Sequence, residues 1–203
     1  MGFVAMEEYP MIMNDDPVES DEILAARAQN GDTQAFGTLV ERYEQKLLRY
    51  GRKFISRPED IEDIVQTAFM SSYQNIRSFD VRQRFSPWMY RIAHNAFVNA
   101  LRKNTNSFIT IDFDTFISHP VYDDPAQKER EVGEMRSMID KGLEQLSAKY
   151  REVLILYYLE EMPYKDIATV LQVPVSTVGV RITRAKKELK TIYEKMQLSH
   201  EFD

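Results

Sequence analysis

Seven residues toward the C-terminal end have the types and spacing to grip nucleic acid: Ser176, Thr177, Val180, Arg181, Arg184, Lys186 and Lys187. They lie on the second of two helical segments, 164–171 and 175–196, joined through Gln172-Val173-Pro174. Paired helices of this spacing form a helix-turn-helix. The first turns of the second helix enter the major groove, where arginine reads guanine and lysine or arginine holds phosphate. The remaining residues fit that geometry. Ile167, Ala168 and Leu171 face inward, and small Ala168 lets the second helix approach. Val173 plugs the turn, Val178 and Ile182 bury the second helix, and Pro174 with Ser176 suits its start. An ordinary helical hairpin would have no use for the basic outer face.

Charge is distributed to match. The 203 residues carry a net charge of −6, which by itself argues against a nucleic-acid partner. Residues 1–30 hold seven acids and one base, so the rest of the chain is neutral. Within it, residues 77–103 have six bases and one acid, and residues 164–196 seven bases and three acids. The stretch between, 104–163, has six bases and twelve acids. Two basic segments flanking an acidic one predict two DNA footprints joined by chain that DNA repels.

The elements that would position these groups are helical throughout. Ser20 caps a helix that runs through Ala28 and stops at Gly31. Asp32 caps a second, with Phe36, Leu39, Val40, Tyr43, Leu47, Tyr50 and Phe54 at three- and four-residue spacing. Pro58, followed by Glu59 and Asp60, opens a third, whose inward stripe is Ile61, Ile64, Val65, Ala68, Phe69, Tyr73 and Ile76. Ser86-Pro87 starts a fourth that ends at Lys103. Further helices are expected over 134–146, 148–161, 164–171 and 175–196. The predicted fold is all-α: two small helical domains joined by a linker, the C-terminal one a helix-turn-helix. The boundaries are a flexible acidic arm at 1–19, a first domain at 20–104, a linker at 105–133, a second domain at 134–196 and a tail at 197–203.

Several function classes lack their chemistry here. There is no cysteine, so no disulfide or thiolate metal site. Three scattered histidines and no phosphate-cradling glycine loop give no basis for an enzyme, a cofactor or a metal. No apolar run is long enough to span a bilayer, and the N-terminus lacks the basic start of a secretory signal. The expected location is the cytoplasm, with no direct membrane insertion.

Longer motifs resemble a known family. The segment LEQLSAKYRE, then VLILYYL and the helix-turn-helix, is similar to the C-terminal domain of bacterial sigma factors. The match runs through Tyr150, Arg151, Val153, Tyr164, Ile167, Ala168, Leu171, Val173, Pro174, Thr177, Val178, Arg181, Arg184 and Ala185. It departs at Ser147 (usually Pro), Gln172 (commonly Gly), Gly179 (usually Lys or Arg) and Val180 (usually Ser). Residues 59–69, EDIEDIVQTAF, resemble the sigma helix that docks on the coiled coil of the polymerase's largest subunit. That likeness implies polymerase contacts by Asp60, Glu62, Asp63, Gln66 and Phe69. Residues 79–103 resemble the segment that opens promoters, with Asn99 in place of a usual Asp. Opening a duplex needs bases on phosphates and an aromatic surface for an unstacked base. The likeness therefore implies minus-ten DNA contacts by Phe79, Arg82, Arg84, Phe85, Trp88, Arg91, Asn95, Asn99, Arg102 and Lys103, and minus-thirty-five contacts by the seven residues of the second footprint.

With no room for the family's middle domain, the chain resembles the extracytoplasmic-function branch of the sigma-70 family. The partners implied are RNA polymerase core, promoter DNA and an anti-sigma factor. Two alternatives stay open at this point: a helix-turn-helix regulator acting without polymerase, and a sigma-like mimic that binds an anti-sigma factor without touching DNA. The acidic arm is expected to shield the basic segments, so that deleting 1–19 raises DNA binding by the free protein.

Overall fold

The computed structural model describes residues 19–103, 139 and 141–200, with side chains over 19–102, 139 and 141–196. The expected linker, the arm up to residue 18 and residues 201–203 lie outside the described residues. Every regular element among the described residues is helical.

Four helices build the first half. Helix α1 (Asp21–Gln29) is capped by Ser20, whose hydroxyl accepts from the Ile23 N–H, and Gly31 just after it takes a left-handed φ of 95°. Helix α2 (Thr33–Gly51) starts where the Asp32 carboxylate accepts from the N–H groups of Gln34 and Ala35, each at 3.0 Å. Its Leu39, Tyr43, Leu47 and Tyr50 are buried at helical spacing. Helix α3 (Pro58–Asn75) opens with Pro58 and buries Ile61, Val65 and Ala68. Tyr73, expected in that stripe, is instead 44% exposed with its ring edge-on to Phe36. Helix α4 (Phe85–Lys103) begins one residue before Ser86, because the Glu22 carboxylate accepts from the Phe85 N–H at 3.0 Å and supplies the cap. Where α2 ends, Gly51 lies under Phe97 and Ile61. A Cβ there would sit 2.5 Å from the Phe97 ring, so only glycine permits this crossing.

The second half begins with a helical segment at 141–145. The buried Arg151 donates to the carbonyls of Leu143, Glu144 and Leu146, closing the end of that segment. Helix α5 (Ala148–Leu154) loosens into a π-helical turn over Ile155–Leu159, inside what the sequence suggested was one uniform helix. Helix α6 (Tyr164–Leu171) and helix α7 (Val175–His200) then form the helix-turn-helix. Gln172 turns the corner in the left-handed region, φ 54° and ψ 46°. Ile167, Val178, Ile182 and Ala185 fill the space between the two helices.

The halves touch. Helix α4 packs along α6; Arg84 pairs with Asp166, and the Tyr90 hydroxyl donates to the Glu160 carboxylate.

Candidate nucleic-acid interface

At 100° per residue, α7 turns its buried seam (Val178, Ile182, Ala185) away from Ser176, Val180, Arg184 and Lys187. These four are exposed on one outward face, and Val180 keeps 50% of its surface. Thr177 is half-buried at its edge. Two of the expected contacts are turned elsewhere. Arg181 is half-buried beside Glu152, whose carboxyl is pushed up by burial against the pull of the Arg181 and Arg151 charges. Lys186 lies on the far flank, its ammonium 5.1 Å from the Tyr158 ring centre and 5.9 Å from that of Tyr157. There it edges an apolar groove of about 730 Å³ lined by Leu143, Ile155, Leu189 and Tyr193. Lys186 follows Val180 by six positions, which places it well off the outward face.

Helix α4 presents a second face. Arg91, Asn95, Asn99 and Arg102 follow at helical spacing, Arg91 half-exposed and the others exposed. The Lys103 side chain lies outside the described residues. The aromatic residues expected at the minus-ten element lie in the core. Phe79, Phe85 and Trp88 are 5%, 1% and 8% exposed, and their rings pack on one another with centroids 5.2–5.5 Å apart. Tyr90 is buried as well. In this arrangement all four rings face the core. Burying large apolar rings outweighs displaying them, and the cluster instead anchors the loop that carries Arg82 and Arg84. Gln29 pins the same loop, its amide donating to the carbonyls of Ile76 and Phe79 at 2.8 and 2.7 Å. Both loop arginines pair within the chain while staying largely exposed, Arg82 with Asp80 at 2.9 Å and Arg84 with Asp166.

Helix α3 offers the third surface. Glu62, Asp63 and Gln66 are exposed on one face; Asp60 is half-buried 3.8 Å from Arg57, and Phe69 is half-buried against the core. Sequence reasoning missed two residues here. Met70, 64% exposed, and Tyr73 continue the Glu62–Gln66 face by one and two turns. Their spacing of four and seven from Gln66 was the available signal. The face is thus acidic at its start and apolar at its end.

Among the described residues no three His, Asp or Glu cluster to hold a metal ion, and no helix is long and apolar enough to cross a membrane.

Comparison with known proteins locates these surfaces within matched regions. Residues 39–107 match the family described as Sigma-70 region 2, and residues 136–189 match Sigma-70, region 4. The chain is 32% identical over 172 residues to the ECF RNA polymerase sigma factor SigW of Bacillus subtilis (strain 168), covering 81% of this chain and 91% of that one. Among solved structures it resembles CnrH in complex with the cytosolic domain of CnrY, with TM-score 0.65, 27% identity, and 87% of this chain and 99% of that one covered. It also resembles the sigma factor RpoE in complex with the anti-sigma factor NepR from Bartonella quintana, with TM-score 0.53, 26% identity, and 76% and 98% covered.

Proposed function

The chain belongs to the extracytoplasmic-function subfamily of the sigma-70 family of RNA polymerase sigma factors, and from that premise we propose how its three surfaces divide the work. It directs RNA polymerase core to specific promoters and starts transcription there, with core enzyme, promoter DNA and an anti-sigma factor as partners. Its place is the cytoplasm, where core enzyme and promoter DNA meet.

The α3 face of Glu62, Asp63, Gln66, Met70 and Tyr73 docks on polymerase. Acidic groups steer a basic partner helix and the exposed apolar pair supplies contact area. The α4 face of Arg91, Asn95, Asn99 and Arg102 takes the minus-ten element, its cations holding phosphates and its amides presenting donors and acceptors to unpaired bases. Ser176, Val180, Arg184 and Lys187 on α7 take the minus-thirty-five element in the major groove. The observation that carries this division is positional: the region 2 match contains the α3 and α4 faces, and the region 4 match contains the start of α7 with its outward face. A helix-turn-helix regulator acting alone gives no account of the α3 face.

Transcription with core polymerase on supercoiled plasmids carrying genomic fragments, with transcript starts mapped, is the test. Promoter-specific transcripts should appear only when the protein is added, and Asp63→Arg should cut co-elution with core at least tenfold. No specific transcript from any fragment would end the proposal.

A further inference from the structure

We propose that Val180 reads the 5-methyl group of a thymine in the upstream promoter element, an assignment that rests on the reading of α7 as the minus-thirty-five reader.

On the outward face of α7, Ser176, Thr183, Arg184 and Lys187 are polar or charged, and Val180 stands among them as the aliphatic side chain, 50% exposed and opposite the buried seam. Stability does not explain it there. A β-branched residue is a weaker helix former than Ala, Lys or Gln, and half of the Val180 surface stays open to solvent, where it gains nothing from burial. The position faces the groove if the helix does, one turn after Ser176 and one turn before Arg184. In the major groove each base pair offers donors and acceptors, and only thymine offers a methyl group. Valine has no donor or acceptor, so the chemistry it can recognise is that methyl.

The neighbour on the other side strengthens the case. Gly179 carries no side chain, and a Cβ there would only touch the Tyr164 ring, at 3.4 Å, an ordinary van der Waals contact. With glycine at 179, no side chain projects from the position next to Val180. Arg184, one turn later, remains free to read guanine or hold phosphate, so a thymine and a separate Arg184 contact should sit about one helical turn of protein apart on the same element.

The experiment uses polymerase holoenzyme and a promoter mapped from its own transcripts. Each thymine of the upstream element is replaced in turn by deoxyuridine, which pairs identically and lacks only the methyl group. With the native protein one or two replacements should weaken promoter binding about fourfold, the factor that burial of one methyl group supplies. Val180→Ser should bind thymine and deoxyuridine equally at that position while keeping its response to changes elsewhere in the element. Circular dichroism checks that Val180→Ser remains folded. If no deoxyuridine replacement weakens native binding, or if Val180→Ser retains the same sensitivity, the assignment is wrong. If scrambling the whole upstream element leaves binding unchanged, the underlying reading of α7 fails and the Val180 assignment with it.

Discussion

His94 lies 7% exposed inside the first domain, its Nδ1 2.9 Å from the Tyr50 hydroxyl and its ring 6.0 Å from that of Phe54. Burial pushes the imidazole down from 6.5 to about 4. The folded protein therefore holds it neutral at pH values where the unfolded chain already takes up a proton. Its contribution to stability is complete above about pH 6.5 and declines as pH falls toward 4, by at most about 3 kcal/mol over that window. Urea titrations at pH 7.5, 5.5 and 4 should show that acid step in the native protein and a smaller one in His94→Asn; an equal step in both contradicts the account. At this scale the sequence disclosed residue type well and orientation poorly. Arg184 and Lys187 were identified as outward-facing and are so placed, because helical spacing fixes their direction. Phe79, Phe85 and Trp88 turned inward because their ring area is more stable in the core than against solvent, a preference that the motif around them did not reveal.

The helices themselves were the most legible level. Ser20, Asp32 and Pro58 each announce a start through the backbone groups they satisfy or lack, and the structure begins its first three helices there. The start of α4 shifted by one residue because its cap, Glu22, lies 63 positions away, beyond any local signal. The π-helical turn at Ile155–Leu159 was hidden too, since its apolar residues read equally well as ordinary α-helix. The turn of the helix-turn-helix carries a prediction at this scale. Gln172 adopts the left-handed conformation that costs a side-chain residue about 1–2 kcal/mol, offset in part by the greater entropy a glycine loses on folding. Gln172→Gly should therefore raise stability by about 0.5–1 kcal/mol in thermal or chemical denaturation and leave promoter selection intact. A loss of stability would mean that the glutamine side chain contributes something its exposed position does not suggest.

Across the whole molecule, two long-range side-chain pairs join the halves. Arg84, expected to hold promoter phosphate, is paired with Asp166 of the helix-turn-helix, a contact between residues 82 positions apart that no local pattern foretold. Tyr90 meets Glu160, whose carboxyl is pushed up by burial and pulled back by the Tyr90 hydroxyl and the charges of Arg49, Lys46 and Lys53. A packed chain of this length has a radius of gyration of roughly 17 Å, whereas two turns of duplex separate the promoter elements by about 70 Å. If each half holds its own element as proposed, the halves part before both are held. Because the chain has no cysteine, single cysteines placed at the exposed Glu44 and Lys195 can carry a fluorophore pair. Energy transfer between them should fall in Arg84→Glu and recover in Arg84→Glu with Asp166→Arg; unchanged transfer would show that the pair does not hold the halves. The most direct test of the account is a footprint of the holoenzyme on a mapped promoter, read alongside permanganate reactivity of unpaired thymines. Two protected patches about two turns apart are predicted. The upstream patch should be lost with Arg184→Ala and Lys187→Ala, and the reactive thymines with Arg91→Ala and Arg102→Ala. A single patch, or opening that persists when the α4 face is neutralised, would contradict it.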